Sequence, residues 1–335
     1  MENPKQLILA DQNLRDIRPV MDADIDFAVG ISENNYEIRI RRDQWDVRFL
    51  YGNTFYIKNT EFGGIIGRKK IATEADTISI YGRTWRGMLD KKVIKPPEGQ
   101  DYRKVSGELN TVLNMLVTEQ FSDYFVISQN DTGVIVTNYR FDRYCTLLAG
   151  IVKMLKSVGH KLHIEYIQQE QGQPGYVELS AVPIIDYSEQ IELSQDSKLN
   201  FVFNETKNGV NHLVCLGKGE LKDRQVIDLY VQNDGSIDTT QYYTGIQEVA
   251  EIYENTSSDS EELEEKGREK LQEIMNSTSF SMDVETLNMD VEIGDIIGGR
   301  DYTTGMYAAK PIAKKIYTVK SGKESLEYEI EGDDS

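Results

Sequence analysis

Histidine, cysteine, tryptophan and long apolar runs are scarce in this chain of 335 residues. It has 3 histidines, 2 cysteines and 2 tryptophans, and no stretch approaches the roughly 18 apolar residues that a membrane-spanning helix requires. The sequence therefore predicts no membrane segment. Cys145 and Cys215 lie far apart within apolar patterns. This spacing predicts two buried free thiols in a reducing compartment, not a disulfide framework.

Basic residues are also in deficit. The chain has 37 Lys and Arg against 56 Asp and Glu, a formal net charge of −19. A surface that holds nucleic acid or anionic lipid needs clustered cations, so this balance argues against both. It is compatible with a soluble protein, or with a channel that DNA passes without sticking.

The motifs of common active sites are missing as well. No Gly-x-Ser-x-Gly elbow marks a serine nucleophile. His160 and His163 have an odd spacing on a predicted strand, so they face opposite ways and are interpreted as structural. The run from Asp22 to Glu33 imitates a calcium loop but has Phe27 where the turn demands glycine. We therefore predict no catalytic residue, no cofactor and no metal site.

The hydrophobic periodicity divides the chain into three parts. Residues 1–94 alternate as strands do, residues 95–197 combine helical stripes with strands, and residues 198–335 return to alternation. A helix near residues 259–276 interrupts the last part and places Leu263, Gly267 and Leu271 on one face. The predicted fold is α+β but mostly β. Two barrel-like β domains, 1–94 and 198–335, are separated by an α+β domain, 95–197.

The two β domains echo each other. Residues 65–82 and 312–332 each contain an alternating strand, a polar turn, a second strand and a glycine. Residues 51–53 and 293–295 precede them and also correspond. We expect Ile312, Ile316 and Leu326 to face one interior. The echo alone leaves open whether the chain carries a true duplication or two hairpins that merely look alike.

Four stretches together resemble the siphovirus tail-hub family, the ring-forming part of tail-associated baseplate proteins. Their order and the β, α+β, β layout match over essentially the whole chain. The stretches are Tyr81 to Ile94, which begins Tyr-Gly-Arg-Thr-Trp-Arg-Gly-Met-Leu; Asn211 to Arg224, which runs into Asp228-Leu229-Tyr230; Gly267 to Leu271; and Glu292 to Asp301, which begins Glu-Ile-Gly-Asp-Ile-Ile-Gly-Gly.

The resemblance implies a fold shared with the central hub of contractile tails. It implies a homotrimer in which two barrel-like domains per subunit alternate into a pseudo-sixfold ring. The ring would join a sixfold tail tube to a threefold tip and leave a central channel, with DNA only as passing cargo. Expected partners are the tail tube, distal tail and tip proteins. The expected location is the virion tail of a phage or prophage, assembled in the bacterial cytoplasm, with no enzymatic activity.

Four charged residues are candidates for the ring interface. Alternation puts Asp24 and Asp26 on one face of a strand, where we expect them to face Arg39 and Arg41. Two other classes of protein stay open. The 56 carboxylates allow a β-rich peptidoglycan or glycan hydrolase, and the 19 tyrosines suit a monomeric carbohydrate-binding module. The mass in solution separates a trimer from either alternative.

Overall fold

The structure is a computed structural model, and the chain in it divides into two compact units. The main unit comprises residues 1–201 and 282–335, and the inserted unit comprises residues 202–281. The predicted domain ranges 1–94, 95–197 and 198–335 stay a prediction. The residues that the structure describes are 5–122, 124–170, 172–188, 192–193, 200–206, 209–256, 260–275, 277–283, 291–300, 303–305 and 307–330.

The first part of the main unit is almost entirely β. Its elements are β1 (Leu7–Ala10), β2 (Asp16–Val20), β3 (Asp24–Gly30), β4 (Asn35–Arg41), β5 (Thr54–Ile57), β6 (Gly63–Ile71), β7 (Thr77–Thr84) and the short helix α1 (Trp85–Leu89). Alternation along β4 buries Tyr36, Ile38 and Ile40 and leaves the residues between them on the other face. A period of two of this kind is what a sheet with one covered face requires.

The middle of the main unit mixes helices and strands. Its elements are β8 (Lys104–Glu108), α2 (Leu109–Phe121), β9 (Phe125–Ile127), β10 (Ile135–Arg140), α3 (Leu147–Lys156), β11 (His160–Ile167), β12 (Tyr176–Pro183) and β13 (Glu192–Leu193). Side chains of Glu108 and Thr146 cap the first turns of α2 and α3. Apolar residues of both helices fill one core with the sheet β11–β12–β9.

The inserted unit has its own small core. Its elements are β14 (Asn200–Thr206), β15 (His212–Leu216), β16 (Val226–Val231), β17 (Ile237–Asp238), β18 (Ala250–Glu254), α4 (Ser260–Ile274) and β19 (Ser277–Asp283). Strands β14 and β19 each extend two residues into the main unit. β14 pairs with β19, and four strands form a second sheet in the order β17-β16-β15-β18. The predicted face of α4, with Leu263, Gly267 and Leu271, is buried against β15 and β16.

The last strands of the chain return to the main unit. They are β20 (Ile296–Arg300), β21 (Tyr307–Lys320) and β22 (Lys323–Ile330). They join the first strands in one sheet of 11, in the order β13-β20-β21-β3-β4-β7-β6-β5-β1-β2, with β22 paired to β21. Phe27 of β3 lies opposite Tyr317 of β21, so both ends of the chain contribute to one core.

The predicted α+β class with mostly β structure is confirmed. None of the sheets formed by the described strands closes into a barrel. None of the described helices has the length and apolar content of a membrane span.

Candidate assembly interface

The sequence echo corresponds to a duplicated three-strand motif. Strands β5, β6 and β7 repeat as β20, β21 and β22 with the same register at every shared pair. In the first copy the paired residues include Thr54–Ile65, Ile66–Gly82 and Ile71–Ile78. The corresponding pairs of the second copy, in the same order, are Ile296–Pro311, Ile312–Ile330 and Tyr317–Leu326. In each copy a β-bulge follows the isoleucine, at Gly67 and at Ala313. A shared register and a shared bulge make chance similarity of two hairpins a poor explanation.

The turn before each copy repeats the same hydrogen bonds. Gly52 N–H donates to Ile66 O at 3.1 Å, and Ile66 N–H donates to Asn53 O at 2.8 Å. In the second copy, Gly294 N–H donates to Ile312 O and Ile312 N–H donates to Asp295 O, both at 2.8 Å. Both glycines have φ near +90°, at 86° and 98°, a conformation that side chains rarely adopt. The glycine shared by the two sequence segments is therefore required by the turn.

The strand pair before each copy corresponds in chain order and length, but not in its neighbours: β4 pairs with β7, whereas β19 pairs only with β14 among the described strands. In the first copy β3 and β4 have 7 residues each and are linked by residues 31–34. At the same place in the second copy stand β14 and β19, also 7 residues each and paired. Their link is residues 207–276, which carry the rest of the inserted unit. By chain order, the inserted unit is thus an expansion of one hairpin link.

One strand edge is filled in the second copy and not in the first. β3 pairs with β21 over residues 314–319, on the edge opposite β22. The equivalent edge of β6, residues 68–71, pairs with no strand among those described. Tyr317 is one of the β21 residues paired with β3 and is 1% exposed. Its counterpart in β6, Ile71, is 57% exposed. An open edge with an exposed isoleucine is a site to which another strand can add.

The four predicted interface residues lie on the polar face of this sheet. Asp24 is opposite Arg39, as predicted, but Asp26 is opposite Glu37. Burial raises the pKa of Asp26, and the charge of Glu37 adds to that rise while Lys320 opposes it. Whether these residues contact another subunit stays a prediction.

The two arginines of that set have carboxylate partners on their own strand or just after it. Arg39 forms two hydrogen bonds with Glu37, and Arg41 forms two with Asp43. The hydrogen bonds from Arg39 lower the pKa of Glu37, against its partial burial. The pairing of β3 with β4 ends at Asp24 and Arg39, so Arg41 lies beyond the paired residues and faces neither aspartate, a register that alternation could not fix.

A buried charge cluster fixes the turn of the second copy. Lys161 Nζ on β11 donates to Asp295 Oδ2 at 2.6 Å and lies 2.9 Å from Glu292 Oε2. Glu292 Oε1 is 2.7 Å from His163 Nδ1. The Asp295 carboxylate also accepts the N–H of Ile185. The side chains of Lys161 and Asp295 are 5% and 1% exposed, so each charge depends on the other.

Glu292 and His163 shift each other's pKa in opposite directions. Burial raises the pKa of Glu292, but the hydrogen bond and charge of His163, together with Lys161, hold it at about 2. The same hydrogen bond raises the pKa of His163 above its ordinary value, against burial. His163 was interpreted as structural from the sequence, and in the structure its partner is Glu292. Sequence reasoning missed Lys161, and its only signal for Glu292 was that the residue begins the fourth family-like stretch, two positions before the repeated Gly294.

The first family-like stretch contains a second buried ion pair. Thr84 Oγ1 accepts the N–H of Gly87 and so begins α1. Arg86 then donates Nε to Glu61 Oε2 and an Nη to the Leu162 carbonyl, both at 2.8 Å. The side chains of Arg86 and Glu61 are 4% and 8% exposed. Arg86 therefore ties α1 to β11 inside the main unit.

Neither the two cysteines nor His160 belongs to a metal-ligand group among the described residues. Both cysteines are free; Cys215 is buried, and burial raises the pKa of its thiol to about 11, while Cys145 is half-buried. His160 Nδ1 lies 2.9 Å from the Val158 carbonyl. Within the described ranges, no three His, Cys, Asp or Glu side chains are grouped as metal ligands.

The chain was compared with known proteins at the levels of sequence and fold. No protein-family model and no curated protein matches it. Among solved structures, the tail protein from Neisseria meningitidis MC58 is 13% identical, with a TM-score of 0.52 and coverage of 98% of this chain and 96% of that chain. The 43 kDa tail protein of prophage MuSo2 from Shewanella oneidensis is 11% identical, with a TM-score of 0.58 and coverage of 97% and 98%.

A third solved structure comes from a virion baseplate. A chain in the topological model of the p2 virion baseplate in its activated conformation is 8% identical, with a TM-score of 0.51 and coverage of 99% of this chain and 100% of that chain. Identities this low establish the fold alone. The chain has the fold of phage tail and baseplate proteins, which is the fold that its resemblance to the tail-hub family implied.

Proposed function

We propose that this protein is a structural hub of a phage or prophage tail, and that three copies form a pseudo-sixfold ring around a channel for DNA. The observation that carries the proposal is the duplicated motif with one filled and one open edge. Within a chain, β3 of the first copy fills the edge of β21 in the second. The counterpart of β3 is β14, and the counterpart of β21 is β6.

Adding β14 of one chain to β6 of the next repeats the pairing that β3 and β21 already make. Every junction then has the same strand arrangement, and the series closes on itself as a heterologous ring. Each chain supplies two copies of the motif, so a ring of three chains presents six. The number three rests on the family resemblance. The barrel that is not closed within one chain would be completed by strands from its neighbours.

The polar face of the sheet is the surface that we assign to the channel. Two of its cations have acid partners: Arg39 pairs with Glu37, and Lys314 pairs with Glu33 and Glu329 at 2.9 and 2.7 Å. Paired cations release few counterions from a phosphate backbone, so DNA can pass without being held. The expected partners are the neighbouring tail tube, distal tail and tip proteins, with assembly in the bacterial cytoplasm before the virion tail is complete.

The open edge of β6 allows a direct test. Ile71→Asp places a charge at an exposed position that the ring would bury, so the variant is expected to fold normally and fail to form trimers. Ile135→Asp is the matched control, because Ile135 lies on a strand and is 68% exposed. Light scattering of both variants, with circular dichroism to verify folding, measures the effect. Trimers that persist in the Ile71 variant would refute the ring closure proposed here.

A further inference from the structure

The sheet of the inserted unit has one covered and one open face. Leu213 and Cys215 of β15 point toward α4 and are buried. Alternation sends Val214 and Leu216 to the opposite face, where both are half-buried. This open face is the side of β15, β16 and β18 that α4 does not cover.

Neighbouring strands extend the apolar part of the open face. Val226 of β16 is opposite Leu216 and is 50% exposed. Ile252 of β18 is opposite Val214 and is 62% exposed. Four aliphatic side chains from three strands therefore form one continuous patch, as expected for a binding surface and not for a solvated sheet face.

Acidic groups and a clamped histidine border this patch. His212 Nδ1 lies 2.7 Å from Glu248 Oε1, and its Nε2 lies 2.8 Å from Asp228 Oδ1. The ring also stacks on Tyr230, with centroids 4.3 Å apart. Glu254 lies beside Leu216 at the other end, with its side chain 60% exposed. The border thus carries three carboxylates: those of Asp228 and Glu248 are bonded to His212, and that of Glu254 lies 3.7 Å from Arg224 Nη1.

The net charge of the inserted unit also favours a cationic partner. Residues 202–281 contain 16 Asp and Glu against 7 Lys and Arg, so the unit carries −9 of the total charge of −19. A surface with this balance repels acidic partners and attracts cationic ones. The ring proposed above uses only strands of the duplicated motif. None of those strands belongs to the open face.

We propose that the open face binds a cationic amphipathic segment of another polypeptide, in which apolar side chains alternate with or lie beside Lys and Arg. The apolar side chains would cover Val214, Leu216, Val226 and Ile252. The basic ones would meet Asp228, Glu248 and Glu254. The chemistry of the patch defines this occupant, and the proposal does not depend on the number of chains in the ring.

The test uses the full chain and a defined probe. A short peptide of alternating leucine and lysine is titrated against wild type by calorimetry, beside a leucine–glutamate peptide of equal length. The leucine–lysine peptide is expected to bind and the leucine–glutamate peptide is not. Ile252→Ser should weaken binding by about tenfold, because the peptide loses an apolar contact. Ile246→Ser is the control, since Ile246 is fully exposed in a turn outside this face.

Three results would overturn the proposal. They are equal binding of the two peptides, equal affinity of wild type and Ile252→Ser for the leucine–lysine peptide, and self-association of the free protein that Ile252→Ser abolishes. The last would mean that a second copy covers the face. The ring variant Ile71→Asp should bind the leucine–lysine peptide as wild type does, so failure of the ring and failure of this site are distinguishable.

Discussion

Replacing Gly267 tests how α4 is seated on its sheet. A Cβ atom at this position would lie 2.5 Å from Cys215 Sγ and 2.9 Å from the Cδ1 of Leu229. Both atoms belong to buried side chains on neighbouring strands, so neither can move away freely. In an exposed helix, exchanging glycine for a better helix former gains up to about 1 kcal/mol. Here overpacking opposes that gain.

Leucine at position 267 forces the helix away from the sheet. Overpacking of a close-packed interior costs about 1–3 kcal/mol, and more where the backbone must shift. For a cooperative unit of this size, 1 kcal/mol corresponds to a shift of the melting temperature of roughly 4–8 °C. Gly267→Leu is therefore expected to lower the melting temperature of the inserted unit by several degrees or more. Gln272→Leu, on an exposed position of the same helix, is the matched control.

The thiol of Cys215 supplies a local measurement of the same change. It lies beneath Gly267, and its burial and raised pKa keep it protonated and slow to react. In a Cys145→Ser background, thiol labelling should be slow in wild type and Gln272→Leu and fast in Gly267→Leu. Equal melting temperatures together with equal labelling rates would refute the placement of this helix.

Two further predictions concern the buried charges of the main unit. Arg86→Met leaves Glu61 in the interior without its main partner and should destabilise the protein by about 3–5 kcal/mol in denaturant unfolding, whereas Arg83→Met, at an exposed position, should be nearly neutral. Because the pKa of Glu292 is lower in the folded protein, its ionised carboxylate stabilises the fold at pH values above about 4.5. This stabilisation is lost as the pH falls from about 4.5 toward 2. Glu292→Gln should flatten the stability profile in that window, and an unchanged profile would show that the interactions of Glu292 with His163 and Lys161 contribute nothing.

Local patterns in the sequence predicted most of the secondary structure. The stripe through Leu109 and Val117 became α2, the one from Leu147 to Leu155 became α3, and the predicted helix near 259–276 became α4 over Ser260–Ile274. Helical periodicity is set by neighbours three and four residues apart, so a short window contains the whole signal.

Alternation in the sequence could not predict which residues of β21 face the core. Ile312 is buried as expected, but Ile316 is only half-buried, and Tyr317 and Val319 fill the core instead. The bulge at Ala313 inserts one residue and so reverses the two faces for the rest of the strand. Leu326 packs on the same core because it lies opposite Tyr317.

The candidate interface depended on non-local pairing. Alternation predicted that Asp24 and Asp26 share one face and lie toward Arg39 and Arg41, but it could fix neither the register nor the pairing of β3 with β21 near the other end of the chain. Lys161 and Asp295 meet across 134 positions, and no spacing rule links them. The repeat was visible in the sequence only as a weak similarity between two segments. The strand register and the bulge that the two copies share identify it as a duplication.

The mass of the assembled protein tests the central claim most directly. Light scattering and electron imaging of the purified chain, across concentrations and with the adjacent tail proteins added, measure the assembly. The account predicts threefold rings with a central hole and a mass three times that of the 38.2 kDa chain. A compact monomer under all of these conditions would contradict it.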